Sequence, residues 1–353
     1  MPLVAYKNIP SFTRLQQDGH LILSEDRALR QDYRGLHIGL LNMMPDAALE
    51  VTERQFFRLI GRSDRIVQFY MHPFSIPGIE RSSEAQSYID QYYESFEDIK
   101  KIGLDALIIT GANVASADLK ESGFFEPFQD VLDWAFKNVT SVLCSCISTH
   151  AAMLALYNES RTPLTQKLFG VYEQRVNDAL KPLTRGINTC FHAPHSRHNM
   201  ITREQFLKNN MLVLAESQDA GVHLASSADG LRLVCFQGHP EYDRVSLLKE
   251  FKRDMNGYLN KALDTRPALP QNYINAAYAD KFLALVDRIY QTSDLSLFNE
   301  DLIQQYIDNT WQDTARSIIQ NWVGAVYQVT GFDRHQPFMD KIDPENPLAT
   351  VLI

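Results

Sequence analysis

Four short apolar runs, at 36–42, 65–71, 106–110 and 141–144, are separated by segments whose apolar residues recur at helical spacing. Within 50–62, Phe56, Phe57, Leu59 and Ile60 make a core-facing stripe, and within 125–136 Phe128, Val131, Leu132 and Ala135 do the same. Strands alternating with amphipathic helices predict an α/β fold, a mainly parallel sheet flanked by helices on both faces.

Farther along, 212–216, 222–226 and 231–236 read as strands, with Asp229-Gly230 as a hairpin turn. Helices are expected over 244–259 and 314–327. Between them, 260–310 carries short helical patterns broken by Pro267 and Pro270, and reads as an accessory helical insertion. The segment 331–353, with Pro337, Pro344 and Pro347, reads as an irregular tail. A chain of 353 residues can bury one large core, so 1–353 is taken as a single domain with these additions.

A net charge of -9 and a pI near 5.6 argue against nucleic acid as the main partner. The first seven residues lack an apolar signal core, and no stretch reaches the ~18 apolar residues of a membrane span, so a soluble, cytoplasmic protein is expected. Four cysteines in this length do not make a disulfide framework, and Cys144 and Cys146 are too close for an ordinary bridge. Cys144, Cys190 and Cys235 read as small buried hydrophobes. No glycine-rich phosphate cradle is present, so no tightly bound nucleotide or other cofactor is expected. His192, His195 and His198 invite a metal reading, but Pro194 breaks any helix that would gather them, and no metal is expected.

The chemistry concentrates elsewhere. His239 and Glu241 follow the apolar strand 231–236, in a turn set by Gly238 and Pro240. A neutral imidazole can take a thiol proton, and a carboxylate two residues on can orient the ring and stabilise its cation. Cys146 stands where the strand 141–144 turns into a helix of small and apolar residues, 151–156. A helix N-terminus lowers a thiol pKa and offers N–H groups to a developing oxyanion. The arrangement is that of a nucleophile elbow, with Ser148 in place of the usual glycine.

Several separated segments together resemble the homoserine O-acyltransferase family. They are Gly39-Leu40-Leu41-Asn42-Met43-Met44-Pro45, Gln55-Phe56-Phe57-Arg58-Leu59, Phe96-Glu97-Asp98-Ile99, Thr110-Gly111-Ala112, the run from Lys167 to Glu173, Ala193-Pro194-His195-Ser196-Arg197, the run from Gly238 to Asp243, and Asn321-Trp322. They cover 36–330 apart from 260–310, in family order and at family spacing. The resemblance implies a class I glutamine-amidotransferase-like (flavodoxin-like) fold and a homodimer. It also implies that acyl-CoA is a co-substrate and that the acyl group passes to the hydroxyl of an amino acid, in methionine biosynthesis. Cys146 would take the acyl group, His239 would shuttle the proton, and Glu241 would orient His239 in a ping-pong cycle. Arg253 would pair with the amino-acid carboxylate, and Lys167 and Ser196 would contact the substrates.

The chain departs from the family pattern in places. Asp46 follows Met-Pro where a basic residue is usual, in a segment about two residues longer. Ile147 replaces a Trp and His150 a Gln, both beside the nucleophile. Ala115 stands where succinyl users carry Gly and acetyl users Glu, which admits succinyl-CoA without excluding acetyl-CoA. Homoserine is the default acceptor, with serine or a related hydroxy amino acid beside it. A glutamine amidotransferase using the same three residues and a non-catalytic relative of the fold are the other readings.

Overall fold

The computed structural model describes residues 3–114, 116, 118–331, 333–335, 342–343 and 346–349. Its centre is an eleven-stranded sheet in the order β2-β1-β4-β3-β5-β6-β11-β10-β9-β7-β8. The strands are β1 (Leu3–Ala5), β2 (Ile22–Ser24), β3 (Leu36–Leu41), β4 (Phe69–Phe74), β5 (Ala106–Ile109), β6 (Ser141–Ser145), β7 (Thr162–Val176), β8 (Cys190–Met200), β9 (Leu212–Ser217), β10 (Gly221–Ser226) and β11 (Leu233–Phe236). Pairings from β2 across to β11 are parallel. Those from β11 out to β8 are antiparallel. The fold is therefore α/β with a mainly parallel sheet, as the alternation in the sequence predicts.

Numbered along the chain, the five central strands β4-β3-β5-β6-β11 run 2-1-3-4-5, the flavodoxin-like order. Helices cover both faces. Asp46–Ser63 and Gln312–Val329 pack on one face against Leu36, Ile38 and Leu40, while Phe125–Asn138 and Ile147–Tyr157 pack on the other against Leu107 and Ile109. Trp322, fully buried, donates its indole N–H to Ser141 Oγ at 2.7 Å and so ties the last long helix to the start of β6.

Three parts differ from expectation. β4 begins at Phe69, not at 65, because Asp64 Oδ1 accepts the N–H groups of Ile66 and Val67 and holds a turn before the strand. The sheet also gains β1 and β2 at one edge. At the other edge, β7 and β8 form a long hairpin across 162–200 that the apolar pattern of the sequence does not predict, since its residues are largely polar or half-exposed. Cys190, at the start of β8, is exposed rather than a core hydrophobe, whereas Cys144 and Cys235 are buried.

Segment 260–310 contains the helix Ala279–Thr292 and shorter helical turns. Phe282, Val286, Ile289, Phe298 and Ile303 from it share a hydrophobic cluster with Phe169 and Val171 of β7 and with Leu247 and Phe251 of the Ser246–Leu259 helix. Gln271 bridges β7, its N–H donating to Phe169 O at 2.9 Å and its carbonyl accepting from Val171 N at 2.8 Å. Gly170 permits this approach, since a Cβ there would lie 2.3 Å from Gln271 O. Most of 331–353 lies outside the described residues.

Candidate active site

Registers across the sheet pair Leu41 with Ile109, Ile109 with Cys144, Cys144 with Cys235, and Ser145 with Phe236. The carboxyl ends of four neighbouring strands are thus level, and the residues that follow them gather at one edge. Ligands meet open α/β sheets at these carboxyl ends, beside the point where strand order reverses. That point lies here between β3 and β5, and the loops after them are joined by a bond from Met43 N to Thr110 Oγ1 at 2.9 Å. A methyl built on Gly111 would lie 3.8 Å from Cys146 Cβ, so this loop also comes close to Cys146.

Cys146 has φ +58° and ψ -115°, a conformation unusual for a residue with a side chain. It is held from both sides. Ser148 Oγ accepts from Ser145 N at 2.8 Å and donates to Ile109 O at 2.8 Å, and Thr149 Oγ1 lies 2.9 Å from Phe236 O. Cys146 N–H itself donates to Phe236 O at 2.8 Å, which removes it from the N–H groups able to meet an oxyanion. Ser148 is thus a brace of the elbow as well as a departure from its glycine pattern.

His239 is fixed through backbone and ring. Its N–H donates to Pro194 O of β8 at 2.9 Å, and its Nδ1 lies 2.9 Å from Glu241 Oε1. The Cys146 thiol stands near enough to the same ring to act on its charge. Burial is the largest influence on the imidazole and opposes its cation, but the charges of Glu241 and Cys146 and the hydrogen bond to Glu241 together raise its pKa well above the ordinary value. Cys146, His239 and Glu241 are all buried. The structure therefore brings the three together in the order thiol, imidazole, carboxylate.

Lys167, Ser196 and Arg253 meet at two acids that sequence reasoning missed. Glu250 and Asp254 stand four residues apart on the Ser246–Leu259 helix, one turn from each other. Ser196 Oγ donates to Glu250 Oε2 at 2.6 Å, Lys167 Nζ lies 3.1 Å from Asp254 and 3.9 Å from Glu250, and Arg253 pairs with Asp254 at 2.8 Å. Glu250 also accepts from the Tyr242 hydroxyl. The Tyr242 ring in turn lies on the His239 ring. A polar chain thus connects Lys167, Ser196 and Arg253 to the ring of His239. Ala115 lies outside the described residues.

The altered neighbours can be placed as well. His150 is fully enclosed, with Nε2 3.3 Å from Gln237 Oε1, and burial first and then the Arg197 charge push its pKa down to about 3. It is a neutral packing residue beneath the site. Asp46 starts the Asp46–Ser63 helix, accepts from Ser82 N at 2.7 Å and pairs with Arg81 at 3.2 Å. Strand alternation places His195 on the opposite face of β8 from His192 and His198. Among the described residues no group of His, Cys, Asp or Glu could hold a metal ion. Among them, too, no helix is long and apolar enough to cross a membrane.

A family model described as homoserine O-succinyltransferase matches residues 2–332, a range that includes 260–310. The chain is 52% identical to a homoserine O-succinyltransferase of Thiobacillus denitrificans over 349 residues, covering 99% of each chain. It is 51% identical to one of Methylobacter tundripaludum over 353 residues, covering 99% of this chain and all of that one. A glutamine amidotransferase from Thermotoga maritima is similar in structure, with a TM-score of 0.48 at 10% identity, over 83% of this chain and 99% of that one. With a family model matched over 2–332 and relatives matched over their full length at half identity, the chain belongs to the homoserine O-succinyltransferase family.

Proposed function

We propose that this protein transfers the succinyl group of succinyl-CoA to the side-chain hydroxyl of L-homoserine through an acyl-cysteine, in the sulfur amino-acid branch of metabolism. The observation that carries this reading is the Cys146 thiol, on its strained elbow, beside a His239 ring whose Nδ1 lies 2.9 Å from Glu241. The Cys146 sulfur attacks the thioester carbonyl, and the protonated His239 gives its proton to the departing CoA sulfur. The acceptor hydroxyl then loses its proton to His239 as its oxygen attacks the acyl-cysteine, which releases the ester and restores the Cys146–His239 pair. Exchange of one thioester for another is nearly isoenergetic, so orientation and oxyanion stabilisation are the main contributions. The N-terminus of the Ile147–Tyr157 helix stands beside Cys146 to supply the latter.

In this reading Arg253 pairs with the acceptor carboxylate, and Lys167 and Ser196 complete the substrate contacts around Glu250 and Asp254. Succinyl-CoA is preferred as donor because Ala115 adds neither bulk nor negative charge and relatives about half identical to this chain carry the succinyl name. A homodimer in the cytoplasm, with no tightly held cofactor, completes the proposal.

Intact-protein mass spectrometry tests it. The chain is mixed separately with succinyl-CoA, acetyl-CoA and glutamine, and homoserine or serine is added to any adduct. A succinyl adduct absent from Cys146→Ser and discharged by homoserine is the expected result. An adduct with glutamine alone would move the chain to amidotransferase chemistry, and a fully active Cys146→Ser would remove the nucleophile assignment.

A further inference from the structure

Behind the loop that carries His239 and Glu241 lies a cavity of about 340 Å³ lined by Arg58, Arg62, Arg65, Arg316 and His20. In a chain of net charge -9, four guanidinium groups on one cavity are a marked local excess of positive charge. Arg54, Arg58 and Arg62 succeed one another at four-residue spacing on the Asp46–Ser63 helix, where like charges repel. The effect registers on the groups themselves. Burial first, then Arg62 and Arg54, push the Arg58 pKa down to about 10, and burial, Arg62 and Arg58 lower that of His20.

Compensation is incomplete. Arg58 pairs with Asp243, Arg316 lies 3.4 Å from Asp313, and Asp18 acts on both Arg58 and His20. Among the described residues, Arg62 and Arg65 have no carboxylate within ion-pair distance. Both are exposed and border the cavity.

We propose that this cavity binds a ligand carrying two or more phosphoryl groups. Planar guanidinium forks match phosphate oxygens in pairs, and the volume suits a small ligand rather than a single ion. A bound polyphosphate would supply the anion that Arg62 and Arg65 lack. Arg58 belongs to both sites, because its Nη2 donates to the Glu241 carbonyl at 3.0 Å while its other terminal nitrogen pairs with Asp243. A ligand that draws on Arg58 is therefore felt at the loop that orients His239. The phosphates can come from the acyl-CoA donor, a source that rests on the reading above, or from a free nucleoside polyphosphate, which does not.

Titration calorimetry on the full chain tests the site with tripolyphosphate, ADP and CoA as probes, for the unaltered protein, Arg62→Glu/Arg65→Glu and Arg62→Lys/Arg65→Lys. Both positions are exposed, and circular dichroism checks that the variants fold. Tripolyphosphate is expected to bind the unaltered chain in a salt-sensitive manner, with affinity lost by at least about tenfold in the glutamate pair and largely kept in the lysine pair. If the KM for succinyl-CoA rises in parallel in the glutamate pair, the donor's own phosphates use the site. If that KM is unchanged while ADP and tripolyphosphate binding is lost, a free nucleotide does. Absence of binding by all three probes, or equal binding to the glutamate pair, overturns the proposal. Because tripolyphosphate binding is read without turnover, this result is independent of whether acyl transfer itself is found.

Discussion

The ring of Tyr242 lies on the imidazole of His239, with centroids 4.1 Å apart and planes 16° from parallel. Its hydroxyl donates to Glu250, which also accepts from Ser196. One side chain thus joins His239 to the acid at which Ser196 and Lys167 meet. Tyr242→Ala is expected to lower kcat by at least about tenfold, while Tyr242→Phe, which keeps the stack and loses only the hydroxyl, should change kcat by less than about threefold and show its effect in the acceptor KM. Steady-state kinetics with both substrates varied separates the two. Equal loss of kcat in both variants would assign the effect to the hydroxyl instead.

Glu241→Gln leaves a side chain of the same shape but removes the charge that does most to offset the burial of His239. The ring should then titrate at lower pH, and kcat should fall by about 10²- to 10⁴-fold. A pH–rate profile reads the shift. A profile unchanged in position would leave Glu241 without its orienting role.

Arg253 is largely exposed and among the described residues pairs only with the adjacent Asp254, so its guanidinium can turn toward a bound carboxylate at little cost. Arg253→Ala should raise the acceptor KM by about tenfold or more and the donor KM by much less. Equal effects on the two constants would place Arg253 outside the acceptor site.

Gly238 stands where no side chain fits. A Cβ there would lie 2.6 Å from His223 Nδ1 and 2.9 Å from His195 Nε2, and both rings are buried. Gly238→Ala is expected to cost about 1–3 kcal/mol of stability, read as an earlier urea midpoint, with a loss of activity from displacement of the next residue, His239.

His150 gives a pH dependence with a definite sign. Its native pKa of about 3 lies below the ordinary value of 6.5, so between these limits the unfolded chain takes up a proton that the folded chain refuses. The stability it permits is fully present above 6.5 and is lost as pH falls toward 3, by up to about 1.4 kcal/mol per pH unit from this residue. Urea denaturation at a series of pH values should give a shallower acid loss for His150→Gln than for the unaltered chain. Parallel curves would show that His150 does not take part.

The central strands, the helices over them and the elbow cysteine were legible in the chain because each depends on local pattern: apolar runs, helical spacing, and a glycine and proline at the end of a strand. The hairpin of β7 and β8 was not, because its many polar residues lack the alternation by which strands are recognised. Glu250 and Asp254 escaped notice for a related reason. Acids on a helix are ordinarily solvated, and nothing near them in sequence marks these two as the meeting point of Lys167, Ser196 and Arg253.

What the sequence determined by itself was the α/β alternation and the chemical identity of the thiol, the imidazole and the carboxylate, since residue type and short-range spacing fix both. Tertiary packing alone brought Cys146 and His239, 93 positions apart, side by side, because β6 and β11 pair in parallel and end level at Ser145 and Phe236. It likewise decided the charge balance of His239 and the gathering of arginines behind its loop. Burial and neighbouring charge set both, and neither exists until distant segments have packed together.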